Sequence, residues 1–139
     1  MLRVVLDTNI VVSGLLSPKG SPPAILDAAT SKQFRCFASE SLIEEYRDVL
    51  TRSGLGLDPR RVAKFMKDFR KVALLVVPRV RLSVARDTDD NMVIECALEA
   101  TADFIVTGNT RDFPLSFRGV RIITPRDFLV VLGSSPKPF

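Results

Sequence analysis

Short apolar runs alternate with longer amphipathic stretches along most of this chain. The runs are nearly continuous in apolar residues, which is typical of strands that are buried on both faces. We predict strands at Leu2–Leu6, Phe34–Ala38, Leu74–Val77, Phe104–Thr107 and Val120–Thr124. We predict helices at Ala24–Thr30, Ser39–Arg52, Pro59–Val72, Thr88–Ala100 and Pro125–Leu132. This alternation predicts an α/β fold in which a mostly parallel central sheet lies between two layers of helices.

Two of the predicted helices begin with capping signals. Ser21 is followed by two prolines, which predicts Ser21 as an N-cap because proline is tolerated in the first helical turn. In the helix from Ser39, Glu44 lies three residues after Ser41, the spacing of a capping box, whereas Glu45 borders the apolar face. We therefore assign Glu44 to capping and Glu45 to a candidate site.

Length and composition indicate one globular domain. The chain has 139 residues, 46% of them hydrophobic and 26% charged, and a domain of this size buries roughly two thirds of its unfolded surface. We expect the domain to span residues 1–132 and residues 133–139 to form a flexible C-terminal tail. No apolar run reaches the ~18 residues of a membrane span, so we expect a cytoplasmic protein with no membrane partner.

The metal-binding residue types present in the chain restrict its chemistry. Histidine is absent, and Cys36 and Cys96 lie far apart without a CxxC spacing. A zinc site is thereby excluded, and two buried reduced thiols are favoured instead.

Acidic residues stand where predicted elements end or begin. Asp7 follows the first strand, Glu45 lies in the helix from Ser39, Asp90 lies where a later helix opens, and Asp112 follows a later strand. Carboxylate oxygens are the ligands that Mg²⁺ and Mn²⁺ prefer. Metal-dependent phosphodiester or phosphoryl chemistry is therefore the first hypothesis.

Some of these acids also have a purely structural interpretation. Asp90 could be a helix-opening charge, and Asp112 could be a turn or cap residue. Asp7 is harder to explain in this way, because it directly follows a buried strand. The carboxyl ends of parallel strands open on one edge of a sheet, so Asp7 and the loop containing Asp112 are expected there together. Topology alone does not bring Asp90 to that edge.

Four segments resemble the successive motifs of the PIN domain family, in that family's order and approximate spacing. They are Val5-Leu6-Asp7-Thr8-Asn9, Ser39–Glu45, Asp87-Thr88-Asp89-Asp90-Asn91 and Val106-Thr107-Gly108-Asn109-Thr110-Arg111-Asp112-Phe113. The resemblance extends over about residues 1–130. It is closest to small prokaryotic PIN proteins regarded as toxins of type II toxin-antitoxin pairs, which are related to VapC toxins.

The resemblance implies a set of site residues. In the family, acids at these places hold Mg²⁺ or Mn²⁺ and cleave single-stranded or structured RNA. It implies catalytic roles for Asp7, Glu45, Asp90 and Asp112, metal ligation by Asp7, Asp90 and Asp112, and support from Thr8, Asn9, Thr107 and Asn109. Many family members have aspartate where this chain has Asn109, so either Asn109 ligates as a neutral donor or Asp112 supplies the fourth carboxylate. A cognate antitoxin and a homodimer are also implied.

The preferred interpretation is a Mg²⁺- or Mn²⁺-dependent endoribonuclease. Two alternatives are compared with it. An aspartyl-phosphate phosphatase of the haloacid dehalogenase kind needs a second aspartate two residues after the first, where this chain has Asn9. An RNA-binding PIN scaffold with a decayed site is the other alternative, although all four acids are present.

A row of basic residues provides a candidate surface for an anionic polymer. The chain has 20 Lys and Arg against 16 Asp and Glu, with a pI of about 9.4. One helix face, which we call the basic stripe, carries Arg60, Lys64, Lys67 and Lys71. It is either an RNA phosphate track or an ordinary solvated face.

Overall fold

Strands and helices alternate along the chain, as the sequence predicts. The computed structural model describes residues 1–82, 88–114 and 116–134. The strands are β1 (Arg3–Leu6), β2 (Arg35–Ala38), β3 (Leu74–Leu75), β4 (Phe104–Val106), β5 (Ser116–Phe117) and β6 (Val120–Ile123). The helices are α1 (Thr8–Leu16), α2 (Ser21–Thr30), α3 (Glu40–Leu50), α4 (Pro59–Val72), α5 (Thr88–Glu99) and α6 (Pro125–Ser134).

The strands form a single sheet in the order β3-β2-β1-β4-β6-β5. All neighbouring pairs are parallel except β5 with β6. The helices flank this sheet in a three-layer α/β/α arrangement, which confirms the predicted fold class. The apolar side chains of the central strands β1 and β4 explain its position in the core, because Val4, Val5, Leu6, Ile105 and Val106 have no exposed surface.

Helices α3 and α4 bury the apolar faces that their sequence periodicity predicts. Leu42, Ile43 and Tyr46 of α3 are buried, and α4 begins and ends at the predicted residues. Helix α6 is anchored by Phe128, whose ring packs edge-on against that of Phe34 at 5.1 Å between centroids. These contacts pack α3, α4 and α6 against the hydrophobic core.

Two elements were not predicted. Helix α1 follows β1 after a single residue, and it is apolar on more than one side, so its sequence lacks the 3.6-residue amphipathic period. Strand β5 is only two residues long and joins the sheet antiparallel to β6 through a turn at Arg118 and Gly119. Gly119 has a φ of 90°, which an L side chain rarely adopts.

Two predicted helix caps are wrong. The N-cap of α2 is Gly20, and Ser21 is the first helical residue, so the two prolines occupy the first turn. The N-cap of α3 is Ser39, whose hydroxyl accepts a hydrogen bond from the Leu42 N–H at 3.1 Å. Ser39 still has an extended backbone because β2 runs up to the preceding residue, so the first helical turn starts before Ser41. Glu44 therefore does not belong to a capping box.

The predicted C-terminal boundary differs from the structure, whereas the prediction for the two cysteines is confirmed. Helix α6 includes Gly133 and Ser134, which were predicted to be in the tail, and residues 135–139 lie outside the described residues. Cys36 and Cys96 are buried free thiols, as predicted. Burial raises the pKa of both thiols, that of Cys96 to about 12. Within the described ranges, no helix has the length and apolar character needed to cross a bilayer.

The two serines at the start of α3 offer a matched test of the cap. We expect Ser39→Ala to lower the free energy of unfolding by about 1 kcal/mol, because the Leu42 N–H loses its acceptor. Ser41→Ala should change it by less than about 0.5 kcal/mol, because Ser41 is an exposed helical residue. Urea denaturation of both variants measures the difference. Equal losses would mean that the helix begins later than Ser39.

Candidate active site

The carboxyl ends of β1 and β4 place Asp7 beside Thr107. Leu6 and Val106 are register partners, and the Asp7 N–H donates to the Val106 carbonyl oxygen at 3.0 Å. The Thr107 hydroxyl donates to Asp7 Oδ2 at 2.8 Å, and both residues are buried. Two residues a hundred positions apart are thus joined at the edge of the sheet where ligands bind in parallel α/β folds.

Thr107 is the centre of a small hydrogen-bond network. While its hydroxyl donates to Asp7, its oxygen accepts from the Asn109 N–H at 3.0 Å and from Asn9 Nδ2 at 3.3 Å. Asn9 Oδ1 in turn accepts from the Gly108 N–H at 3.1 Å. The amide of Asn9 therefore links the start of α1 to the loop after β4, and it supports the carboxylate of Asp7 through Thr107.

Asp7 also serves as the N-cap of α1. Its Oδ1 accepts from the Thr8 N–H at 2.8 Å, so the two carboxylate oxygens accept from two different segments of the chain. The structural interpretation and the site interpretation of Asp7 therefore apply together. Held by a helix start and a strand end, the Asp7 carboxylate has a defined orientation.

The acids of the four motifs border one cavity of ≈ 320 Å³. Asp7 comes from the end of β1, Glu45 from α3, Asp90 from the first turn of α5, and Asp112 from the end of a short 3₁₀ helix at Thr110–Asp112. The remaining lining residues are Thr8, Asn9, Val12, Ser13, Val49 and Asn109. The described residues that line this cavity, which we call the acidic cavity, include no lysine or arginine.

The two adjacent glutamates on α3 differ in position. Glu45 is half-buried and borders the acidic cavity, whereas Glu44 is exposed. The predicted topology left open whether Asp90 lies at this edge of the sheet. In the structure Asp90 also borders the cavity, and it is half-buried. Asp87 of the same motif lies outside the described residues.

Tyr46 connects the wall that carries Glu45 to the end of β1. Its phenol is fully buried, and the hydroxyl donates to the carbonyl oxygen of Leu6, the residue before Asp7. Burial raises the pKa of Tyr46 well above its ordinary value, and the carboxylates of Asp7 and Glu45 raise it further. The phenol therefore stays neutral and remains a hydrogen-bond donor.

The groups around the acidic cavity match a hard divalent cation in kind. Carboxylates and the Asn109 amide are oxygen donors, and the buried Thr8 hydroxyl oxygen has no hydrogen-bond partner among the described residues. Within those residues, however, no group of three or more acidic, histidine or cysteine side chains is arranged to hold an ion. Mg²⁺ commonly binds through one or two carboxylates and keeps several waters. The residues thus fit a hydrated ion better than a closed cage.

The basic stripe lies apart from the acidic cavity. Its residues are exposed on α4, and Lys64 forms an ion pair with Asp68 at 2.9 Å. Lys64 lines a different cavity, together with Arg61 and residues of α1 and α2. None of the stripe residues is among the described residues that line the acidic cavity.

Sequence reasoning missed several residues of the cavity wall. Val12 and Ser13 lie on α1, the helix that was not predicted, and Val49 was assigned only to the apolar face of α3. Val49 lies four residues after Glu45, so the helical period already placed the two on one side. No comparable signal indicated that the Tyr46 hydroxyl reaches Leu6.

Replacing the Thr107 hydroxyl tests whether it organises this edge. Thr107→Val keeps the side-chain shape but removes the donor to Asp7, so we expect the free energy of unfolding to fall by about 1–3 kcal/mol. Thr30→Val is the control, because its hydroxyl bonds only to carbonyl oxygens in its own helix, and it should cost less than about 0.5 kcal/mol. Chemical denaturation compares the two. Similar small losses would remove Thr107 from the centre of the network.

Comparisons with known proteins agree with this arrangement. The PIN domain family model matches residues 3–111. The uncharacterized protein MJ1680 of Methanocaldococcus jannaschii is 33% identical over 112 residues, which cover 78% of this chain and 71% of that protein. The crystal structure of VapBC2 from Rickettsia felis bound to a DNA fragment from their promoter contains a chain with the same fold. That likeness has a TM-score of 0.59 and 13% identity and covers 88% of this chain and 98% of that one. The chain belongs to the PIN domain family.

Proposed function

We propose that this protein is a Mg²⁺- or Mn²⁺-dependent endoribonuclease. The observation that carries the proposal is the convergence of Asp7, Glu45, Asp90 and Asp112 on one cavity from four separate segments. Membership of the PIN domain family supports it, because PIN domain proteins are generally nucleases. A cavity rich in carboxylates and lacking basic side chains among its described lining residues favours a cation that can bridge the protein to an RNA phosphate.

Each acid has a proposed task. Asp7 and Asp90 would contact the ion directly, while Asp112 and the Asn109 amide would complete or orient its coordination. Glu45, which borders the same cavity from α3, would orient the attacking water. The Thr107 hydroxyl holds the Asp7 carboxylate by its hydrogen bond, so that the ligand oxygen does not have to be ordered when the substrate arrives. Thr8 and Asn9 support Asp7 from the start of α1.

The proposed reaction is hydrolysis of a phosphodiester. A divalent ion held by these residues would supply two kinds of chemistry, a lowered pKa for the attacking water near neutral pH and compensation of the charge on the phosphate. Attack by water breaks the bond to the 3′ oxygen, so the expected products carry a 5′-phosphate and a 3′-hydroxyl. The chain needs no histidine for this chemistry and has none.

We further propose that the protein is the toxin of a type II toxin-antitoxin pair and acts in the cytoplasm. The fold shared with the Rickettsia felis VapBC2 structure supports a VapC-like toxin with a cognate antitoxin protein. A homodimer is part of the same proposal. Exposed apolar side chains on and after the edge strand β3, among them Leu75 and Val77, provide an apolar surface for such an assembly.

Metal removal tests the proposed chemistry. We expect the purified protein to cleave a labelled pool of random-sequence RNA in Mg²⁺ or Mn²⁺ and to be inactive in EDTA, because the acids alone cannot activate water. Gel analysis with 5′-phosphate-dependent exonuclease treatment identifies the product ends. Undiminished cleavage in EDTA would falsify the metal mechanism. Tight RNA binding without cleavage in either metal would instead support the RNA-binding scaffold.

The adjacent glutamates provide a matched pair for the cavity wall. We expect Glu45→Gln to lower kcat by about 100-fold or more, because it removes a carboxylate that orients the attacking water. Glu44→Gln should keep kcat within about twofold, because Glu44 is exposed and outside the cavity. Both variants should melt near the parent temperature. The reverse pattern would show that the wrong carboxylate has been assigned.

The basic stripe is proposed to bind the RNA backbone. Replacing Lys64, Lys67 and Lys71 with Gln should weaken RNA binding and reduce its salt dependence by up to about three phosphate contacts' worth of slope. The control replaces Lys19, Arg121 and Arg126, which are exposed outside α4, with Gln and removes the same charge. Filter binding at several salt concentrations compares the two triple variants. Equal slopes would return the stripe to an ordinary solvated face.

A further inference from the structure

The chain places its only tyrosine beside the acidic cavity. The sequence contains nine phenylalanines and one tyrosine, Tyr46, which has no exposed surface. A buried hydroxyl costs free energy unless it forms a hydrogen bond, so an apolar ring would fill the same space with less demand on its surroundings. The hydroxyl at this one position therefore calls for an explanation other than core packing.

The hydroxyl replaces a hydrogen bond that the sheet cannot make. Strands β1 and β2 are parallel, and the Arg35 N–H donates to the Leu2 carbonyl oxygen. Each further hydrogen bond of this kind lies two residues later on both strands. The next donor in this pattern, opposite the Leu6 carbonyl, would be the N–H of Ser39, but Ser39 has left the sheet to cap α3. The Tyr46 hydroxyl donates to the Leu6 carbonyl oxygen instead.

This hydrogen bond connects the segment that carries Asp7 to the helix that carries Glu45. Leu6 immediately precedes Asp7, and Tyr46 immediately follows Glu45. The two residues that form this hydrogen bond are thus each adjacent in sequence to a residue whose carboxylate borders the cavity. A shift of α3 relative to β1 would change the separation of these two carboxylates.

The aromatic ring of Tyr46 is itself held in place. It packs edge-on against Phe69 of α4 at 5.6 Å between centroids, and Phe69 stacks on Phe65 at 5.6 Å. All of these rings are buried in the core. The position of the hydroxyl is therefore set by the packing of α3 against α4.

We propose that Tyr46 is a positioning residue that sets the distance between Glu45 and Asp7 across the acidic cavity. The inference rests on the proposed function, in which both carboxylates act at the same ion and water. Loss of the hydroxyl leaves the buried Leu6 carbonyl without this donor and allows α3 to move relative to β1. A displacement of about 1 Å in a catalytic group is enough to cost orders of magnitude in rate.

The test is Tyr46→Phe, with three measurements. In metal-free protein labelled with ¹³C at the side-chain carboxyls, the Asp7 and Glu45 resonances should move, whereas those of the distant Asp27 and Asp58 should not. Calorimetry should show about tenfold weaker Mn²⁺ binding, the size typical of losing a group that orients a ligand. The kcat for RNA should fall about tenfold or more with KM within about twofold of the parent.

Two further variants separate positioning from general loosening of the core. Phe34→Leu removes a buried ring that packs against Phe128 rather than against Tyr46, so it should lower the melting temperature while leaving Mn²⁺ affinity within about twofold. Tyr46→4-aminophenylalanine retains a donor and should restore the carboxyl resonances and the Mn²⁺ affinity. These two variants also serve if Tyr46→Phe folds poorly.

The outcomes discriminate between the proposals. Unchanged Asp7 and Glu45 resonances in Tyr46→Phe, or equal changes in Phe34→Leu, would overturn the positioning role. If the parent neither binds Mn²⁺ nor cleaves RNA, the proposed function fails, and the carboxyl resonances in metal-free protein still decide the positioning role. Failure of the 4-aminophenylalanine variant to restore them would also count against the hydroxyl.

Discussion

The parallel pairing of β1 with β4 determines where the acidic cavity can form. With Leu6 opposite Val106, Asp7 and Thr107 leave the sheet side by side, and the Thr107 hydroxyl reaches the Asp7 carboxylate. The loop after Thr107 then carries Asn109 and Asp112 to the same edge, while Asn9 ties that loop to α1. A slip of one residue in this pairing would turn the side chains to opposite faces of the sheet and disperse the site.

Gathering carboxylates in one cavity opposes folding in the absence of a cation. Two carboxylates about 4 Å apart repel by about 4 kcal/mol at the effective dielectric near a protein surface, and by about 1 kcal/mol in water. No lysine or arginine is among the described residues that line the cavity, so a bound divalent ion would offset this repulsion. The hydrogen bonds to Asp7 and the Tyr46 contact keep the walls in place against it. The same features would suit a site that is ordered before its ion arrives.

The predictions succeeded where the signal was local and strong. Helix α4 has a complete amphipathic period and matches its predicted bounds, and the position of Glu45 at the border of an apolar face predicted which glutamate reaches the cavity. Helix α1 was missed because its apolar residues are not confined to one face. The cap at Ser21 was assigned from the two prolines that follow it, and the cap at Ser41 from its spacing to Glu44. The backbone of the residues before each helix decides where the helix begins, and the N-caps are Gly20 and Ser39.

The sequence by itself determined the fold class and the shared edge of Asp7 and Asp112, because continuous apolar runs between amphipathic helices require a parallel sheet and parallel strands end together. It also singled out Asp90 by motif but could not bring it to the cavity, because helix packing rather than strand order positions that residue. The tertiary structure alone decided that Asp90 borders the same cavity as Asp7, that Thr107 bonds to Asp7, and that Tyr46 reaches Leu6. The two hydrogen bonds join residues 40 and 100 positions apart, so they depend on register and core packing, which no local sequence period encodes.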